Sequence, residues 1–161
     1  MEELYLYRRN LLEALAAVVS ELQRVCTTIP ANAWHTPVNM DGKNRHQLLA
    51  QLGYLEAQVF YPRMVRIIYE DSPHLPALDD SAWEHSSYNP SEPPEGILVA
   101  YARLRDAELA LLQNLPPAGW NRMGVHPWLG KRTLQWWAER CLVYSLMHMK
   151  QMIVARGGEA L

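Results

Sequence analysis

Tyr144 and His148 are polar members of an otherwise apolar series inside TLQWWAERCLVYSLMHMKQMIVAR, residues 133 to 156. Leu134, Trp137, Cys141, Tyr144, His148, Met152 and Ala155 recur three or four residues apart, so on a helix they share one face. An imidazole on such a face can ligate a metal or act as a general base, and a phenol one turn away can orient it. The competing assignment is a core histidine hydrogen-bonded to Tyr144, to Gln51 or to a backbone carbonyl, since buried polar groups are normally paired. Either way, the chemistry of this chain is expected along its last long helix.

That helix needs ends and neighbours. Thr133 is a suitable N-cap, because its hydroxyl can accept a free first-turn N–H, and Gly157 can adopt the left-handed turn that stops a helix. At about 1.5 Å per residue the helix would run roughly 36 Å. Upstream, Leu4, Leu11, Leu15, Val18, Leu22, Val25 and Ile29 describe a first amphipathic helix over 2–28, interrupted on its apolar face by Arg8 and ended by Pro30. Leu48, Leu52, Leu55, Val59, Ile67 and Ile68 mark a second helix over 44–70, which Pro62 should kink or split. Residues 71–90, with several prolines, Trp83 and Tyr88, read as a long loop. A third helix should follow, with Ser91 as N-cap and Ile97, Tyr101, Leu104, Leu111 and Leu115 inward. Glu108 falls on the same stripe and is assigned to the bundle edge, with a paired interior position as the alternative. Pro116 and Pro117 end this helix, and residues 118–132 read as another loop.

Four long helices, long connections and no strand-like alternation predict a single all-α domain, 1–161, folded as a four-helix bundle. The long connection at 71–90 allows the helices it joins to be parallel, which gives an up-down-down-up order rather than successive hairpins. A chain of 161 residues can bury a core without metals or disulfides. Fifteen basic residues against 17 acidic ones, without a charged block, exclude a nucleic-acid backbone or an anionic membrane as expected partners. Cys26 and Cys141 lie in apolar helical patterns with no CxxC and are expected to be reduced core residues. The N-terminus has no signal-like apolar run and no window resembles a membrane span, so a cytoplasmic location is expected. The six tryptophans, spread over loops and helix starts, suit a bundle end or a homodimer interface.

AQLGYLE at 50–56, YARLR at 101–105, RMGVHPWLGKRTLQWW at 122–137 and HMKQM at 148–152 together resemble the DinB-like superfamily. The resemblance covers nearly the whole chain and implies its helical bundle. Members include bacillithiol- and mycothiol-dependent transferases, and the family usually holds a divalent metal on three histidines. One histidine lies early in the second helix, and two lie four residues apart on the fourth. Carried onto this sequence, these positions are Gln51, Tyr144 and His148, so only His148 is a histidine. An amide is a weak ligand for zinc or nickel, and a phenol must lose a proton of pKa about 10 to bind well. His46 is off the face of Gln51, and His74, His85 and His126 lie in loops. Without HExxH or ExxH, neither a zincin nor a ferritin-type site is expected. Glu56, Arg105 and Gln151 match further family positions; Glu56 and Arg105 join Gln51, Tyr144 and His148 as candidate pocket residues.

The functional expectation is therefore a bundle with a degenerate metal triad and no assigned activity, free of metal and able to bind a small apolar or amphipathic molecule or to form a homodimer. The alternative is an enzyme like the thiol S-transferases, with a zinc or nickel ion held by His148 and further ligands.

Overall fold

The computed structural model describes residues 2–153, so Ala155 and the stop at Gly157 lie outside the described residues. The long helices are α1 (Glu2–Thr28), α2 (Arg45–Leu55), α3 (Tyr61–Tyr69), α5 (Pro94–Gln113) and α6 (Leu134–Ile153), with a short α4 (Asp80–Ser86) between α3 and α5. α2 opens with reciprocal caps: Asn44 Oδ1 accepts from Gln47 N at 2.8 Å, and Gln47 Oε1 accepts from Asn44 N at 3.0 Å. It continues into α3 through a π-helical turn, Glu56–Phe60, in which Tyr61 N–H bonds to Glu56 O. Pro62 explains the turn, because it has no N–H for the Gln58 carbonyl and its ring would strike that carbonyl in a regular α-helix. The helix is widened rather than broken.

Two apolar clusters fix the helix directions. One joins Leu11 and Leu15 with Leu55–Ile67, Leu109, Leu112 and Leu134–Cys141; the other joins Leu22 and Val25 with Leu48–Leu52, Ile97, Tyr101, Met149 and Met152. The starts of α1 and α6 thus share an end with the finishes of α3 and α5, an up-down-down-up bundle. α1 and α2 each pack against both α5 and α6, so α1 and α2 stand diagonally opposite one another. Among the described residues no helix is long and apolar enough to cross a membrane.

Several sequence expectations need correction. Residues 118–132 contain an antiparallel hairpin, β1 (Met123–His126) and β2 (Gly130–Thr133), too short for its alternation to register. Gly130 takes φ +69° at the turn, and a Cβ on Gly124 would come within 2.7 Å of Leu75 and 2.9 Å of Ile67, so glycine lets β1 lie against α3. The 71–90 connection is not simply a loop: α4 buries Trp83, and Leu75 N donates to Val125 O at 2.8 Å. Ser91 does not cap α5, because Pro94 holds Pro93 extended (ψ 131°) and the helix starts at Pro94 itself. The inward stripe of α5 is Ile97, Tyr101, Arg105, Glu108, Leu109 and Leu112, so its register turns on two charged residues that a hydrophobic count discards. Leu4 is 45% exposed while Arg8 is buried. Arg8 Nε donates to Gln135 Oε1 at 2.9 Å, and its guanidinium lies 5.4 Å from the Trp120 ring, which is how the interruption on the apolar face is accommodated.

Candidate functional site

Thr133 caps α6 as its chemistry allows, its Oγ1 accepting from Trp136 N at 3.2 Å, and α6 carries Tyr144 and His148 into the bundle. His148 is buried and its Nδ1 bonds to Tyr144 O at 2.8 Å; the carbonyl can only accept, so Nδ1 carries the proton. Tyr144 is half-buried, its ring 5.7 Å from Phe60 and 6.3 Å from His148, and its hydroxyl accepts from Arg140 Nη2 at the long distance of 3.5 Å. Gln51 is 9% exposed, and its Oε1 accepts from Lys43 Nζ at 3.1 Å. Lys43 also pairs with Glu84 of α4 at 2.5 Å. The amide oxygen that would have to face a metal therefore faces an ammonium, and the phenol is solvated by a guanidinium. The donors at 51, 144 and 148 do not fit the divalent site of the family.

Glu56 and Arg105 do meet, but in the core between the helices. Glu56 belongs to the π-helical turn, and Arg105 is fully buried beneath it. Arg105 Nη2 lies within donating reach of Glu56 Oε2 at 3.0 Å, Tyr101 Oη at 2.9 Å, Cys141 Sγ at 3.1 Å and Ser145 Oγ at 3.2 Å, which share its two hydrogens; Nη1 donates to Leu15 O at 3.0 Å. One guanidinium thus ties α1, the π-turn, α5 and α6 together. Glu108, assigned to the bundle edge, is instead fully buried, with Oε1 3.5 Å from Arg105 Nε. Two acids then share one cation. Burial pushes the Glu56 carboxyl up, but Arg105 and the hydrogen bonds of Glu108 and Cys141 bring it below its ordinary range. Burial, and then the charge of Glu56, push Glu108 well above it. Among the described residues nothing donates to Glu108 Oε2. A protonated Glu108 resolves both facts by donating to Glu56. Burial and the two acids also push the Cys141 thiol well up, so it remains an S–H. Glu56, Glu108 and Cys141 place their ligand atoms within 4.8 Å of one another, but Arg105 already supplies the cation there.

The open space lies on the other side of the π-turn. A cavity of about 230 Å³ is walled by Leu55, Val59, Phe60, Leu78, Leu129 and Trp137, with Arg63, His126, Trp128, Arg140 and Tyr144 around it. Of the candidate pocket residues only Tyr144 lines it; Gln51, His148, Glu56 and Arg105 do not. His126 Nδ1 accepts from Trp128 N and Leu129 N, both at 3.3 Å, so the neutral ring carries its proton on Nε2. Burial, with Arg63 nearby, pulls its pKa down and keeps the ring neutral. Trp137 is 1% exposed, and its Nε1–H has no acceptor among the described residues. His126 and Trp137 both lie in the segment that carried the family resemblance, yet their shared cavity depends on a hairpin the sequence did not reveal. Arg63 gave no signal beyond its place after Pro62.

A larger, shallow groove of about 910 Å³ runs between α1 and the end of α5, lined by Leu4, Tyr5, Leu12, Leu115 and Trp120 among others. It carries none of the triad positions.

Residues 14–152 match the family model of the DinB superfamily. In the solved structures, YfiT from Bacillus subtilis, described as "a probable metal-dependent hydrolase with an unusual four-helix bundle topology", matches with a TM-score of 0.83. The match covers 90% of this chain and 83% of that one at 20% identity, a likeness of fold. No curated protein shows significant similarity to the chain.

Proposed function

The chain belongs to the DinB superfamily, and on that premise we propose that it is a metal-independent member that binds a small amphipathic molecule in the cavity beside Tyr144. The observation that carries this reading is the wall itself: an apolar floor shared by Leu55, Val59, Phe60 and Trp137, with Tyr144, His126 and Arg140 as its polar members. At about 230 Å³ the space is just below the roughly 300 Å³ at which drug-sized pockets begin, so the ligand is small. An apolar body would lie on Leu55, Val59 and Phe60, and a polar end would meet Tyr144 and His126.

The metal-dependent hydrolysis suggested for YfiT, or thiol transfer as in other members, would need a Lewis acid at Gln51, Tyr144 and His148. The donor set argues against both, since only one of the three offers an imidazole. The test is a titration with phenol and, separately, toluene, read on the Trp137 indole ¹H–¹⁵N resonance. Phenol is expected to shift it saturably, and Leu129→Trp, which fills the cavity, should abolish the shift. No saturable shift with either probe at millimolar concentration would reject the reading.

A second reading, pairing of two copies, is favoured by the α1 groove. Leu4 and Tyr5 are 45% and 69% exposed there, beside Arg9 and Glu13. A twofold axis across α1 would set Arg9 of one copy opposite Glu13 of the other. Light scattering should then give a dimer mass that Tyr5→Glu halves; a monomer in the parent chain rejects the pairing.

A further inference from the structure

Lys43 is a cation brought to the seam between α2 and α6 by three separate attachments. Its own ammonium donates to Gln51 Oε1 at 3.1 Å and pairs with Glu84 at 2.5 Å, with side-chain exposures of 24% and 29% for the Lys43–Glu84 pair. The connection that carries it is fastened to α6, where Asn39 Nδ2 donates to Gln151 Oε1 at 2.8 Å while Asn39 Oδ1 accepts from Lys43 N at 2.8 Å. Arg45 Nε then donates to Met152 O at 2.9 Å. On the far side, Glu84 is held because its neighbour Trp83 is buried, stacked 5.3 Å from Tyr54 and 5.6 Å from Tyr88. Tyr88 in turn bonds to His46 Nδ1 at 2.8 Å.

The partners match an ammonium rather than a metal. An ammonium has three donors and no lone pair, and it is matched by the Gln51 amide oxygen, which accepts from it, and by the Glu84 carboxylate, which balances its charge. Zinc or nickel would ask for imidazole or thiolate at the same place. The residue at 51 is therefore chemically consistent with its neighbour at 43, whereas a histidine there would offer at most one acceptor nitrogen.

We infer that the Lys43 ammonium, facing Gln51 and Glu84, is a built-in cation at residue 51, one of the three positions where the family holds its divalent ion, and that it keeps divalent ions away from that position. The ion is part of the chain, so its charge persists whatever the metal supply. It also ties α4, and with it the connection over α2, to the bundle. This holds whether or not the cavity beside Tyr144 binds a ligand.

The test rebuilds the histidines and varies only the residue at 43. Gln51→His with Tyr144→His is made in three backgrounds: Lys43 retained, Lys43→Arg, which keeps the charge, and Lys43→Met, which removes it. Zinc affinity is measured by competition with a chromophoric chelator, and a thermal melt checks that each variant is folded. The Met background should bind zinc at least about tenfold more tightly than the Lys and Arg backgrounds, because only there is like-charge repulsion relieved. Equal affinity in all three, or no zinc binding even with Met, would overturn the inference. A measurement on the parent chain serves if a variant does not fold: the Lys43 ammonium should give an exchange-protected ¹H–¹⁵N resonance that Gln51→Ala removes. An unprotected ammonium, or one indifferent to Gln51, overturns it equally.

Discussion

Replacing Glu108 by glutamine should make the protein progressively more stable than its parent as pH rises. In the folded chain Glu108 is fully buried beside the ionised Glu56 and keeps its proton, its carboxyl held well above the ordinary range by burial and by that charge. In the unfolded chain it would release the proton above about pH 4.3. The folded state then holds one more proton than the unfolded state, so stability falls as pH rises, by about 1.4 kcal/mol per unit. Glutamine cannot release that proton, has nearly the same shape, and can donate its amide N–H to Glu56. Near pH 4 the two proteins should differ by less than about 1 kcal/mol. Above the ordinary carboxylate range the gap should widen in favour of E108Q with each unit of pH, until the folded Glu108 itself ionises. His126, lowered by burial and by Arg63, contributes stability that is lost as pH falls below its ordinary value, but it does so in both proteins and cancels. Glu56, lowered overall, loses its contribution only below the ordinary carboxylate range. The assay is urea unfolding followed by far-ultraviolet circular dichroism at three pH values. Parallel stability curves for the two proteins would mean that Glu108 is ionised in the fold, and the proton-sharing assignment would be wrong.

Arg105→Met should cost about 3–5 kcal/mol in the same assay at neutral pH, because it leaves the buried Glu56 charge without its cation. A loss under about 1 kcal/mol would show that Glu56 is not ionised. Gly124→Ala should cost about 1–3 kcal/mol and lower the Tm, since its methyl would need the space of Leu75 and Ile67; an unchanged Tm would place β1 farther from α3.

The fold was legible because the apolar stripes of α1, α2 and α6 recur at helical spacing almost without interruption. Legibility failed where polar residues hold interior positions. Arg105 and Glu108 each look like surface residues until both are placed one turn apart on α5 against Glu56, a pairing across 49 residues that no local pattern encodes. The hairpin was missed for a different reason: its two strands are four residues each and owe their pairing to the turn at Gly130 and to contact with α3, not to alternation. Spacing placed Tyr144 and His148 on one face of α6, and of the two only Tyr144 lines the cavity. What they face was not legible, because Lys43 lies in a connection and Arg63 and His126 reach the cavity only through the π-turn and the hairpin.

The helix order also sets how this chain can reach its fold. α1 and α2 are consecutive yet diagonal, so they cannot first collapse as a local helical hairpin, and α5 and α6 are diagonal in the same way. Among the described residues the helices that α1 chiefly packs against are α5 and α6, which begin at Pro94 and Leu134. Nearly every interhelical contact must therefore close a long loop before it is rewarded, as in proteins of high contact order. During synthesis the apolar faces of α1 and α2 stay uncovered until α5 emerges, a window in which a nascent chain is open to aggregation or to chaperone capture.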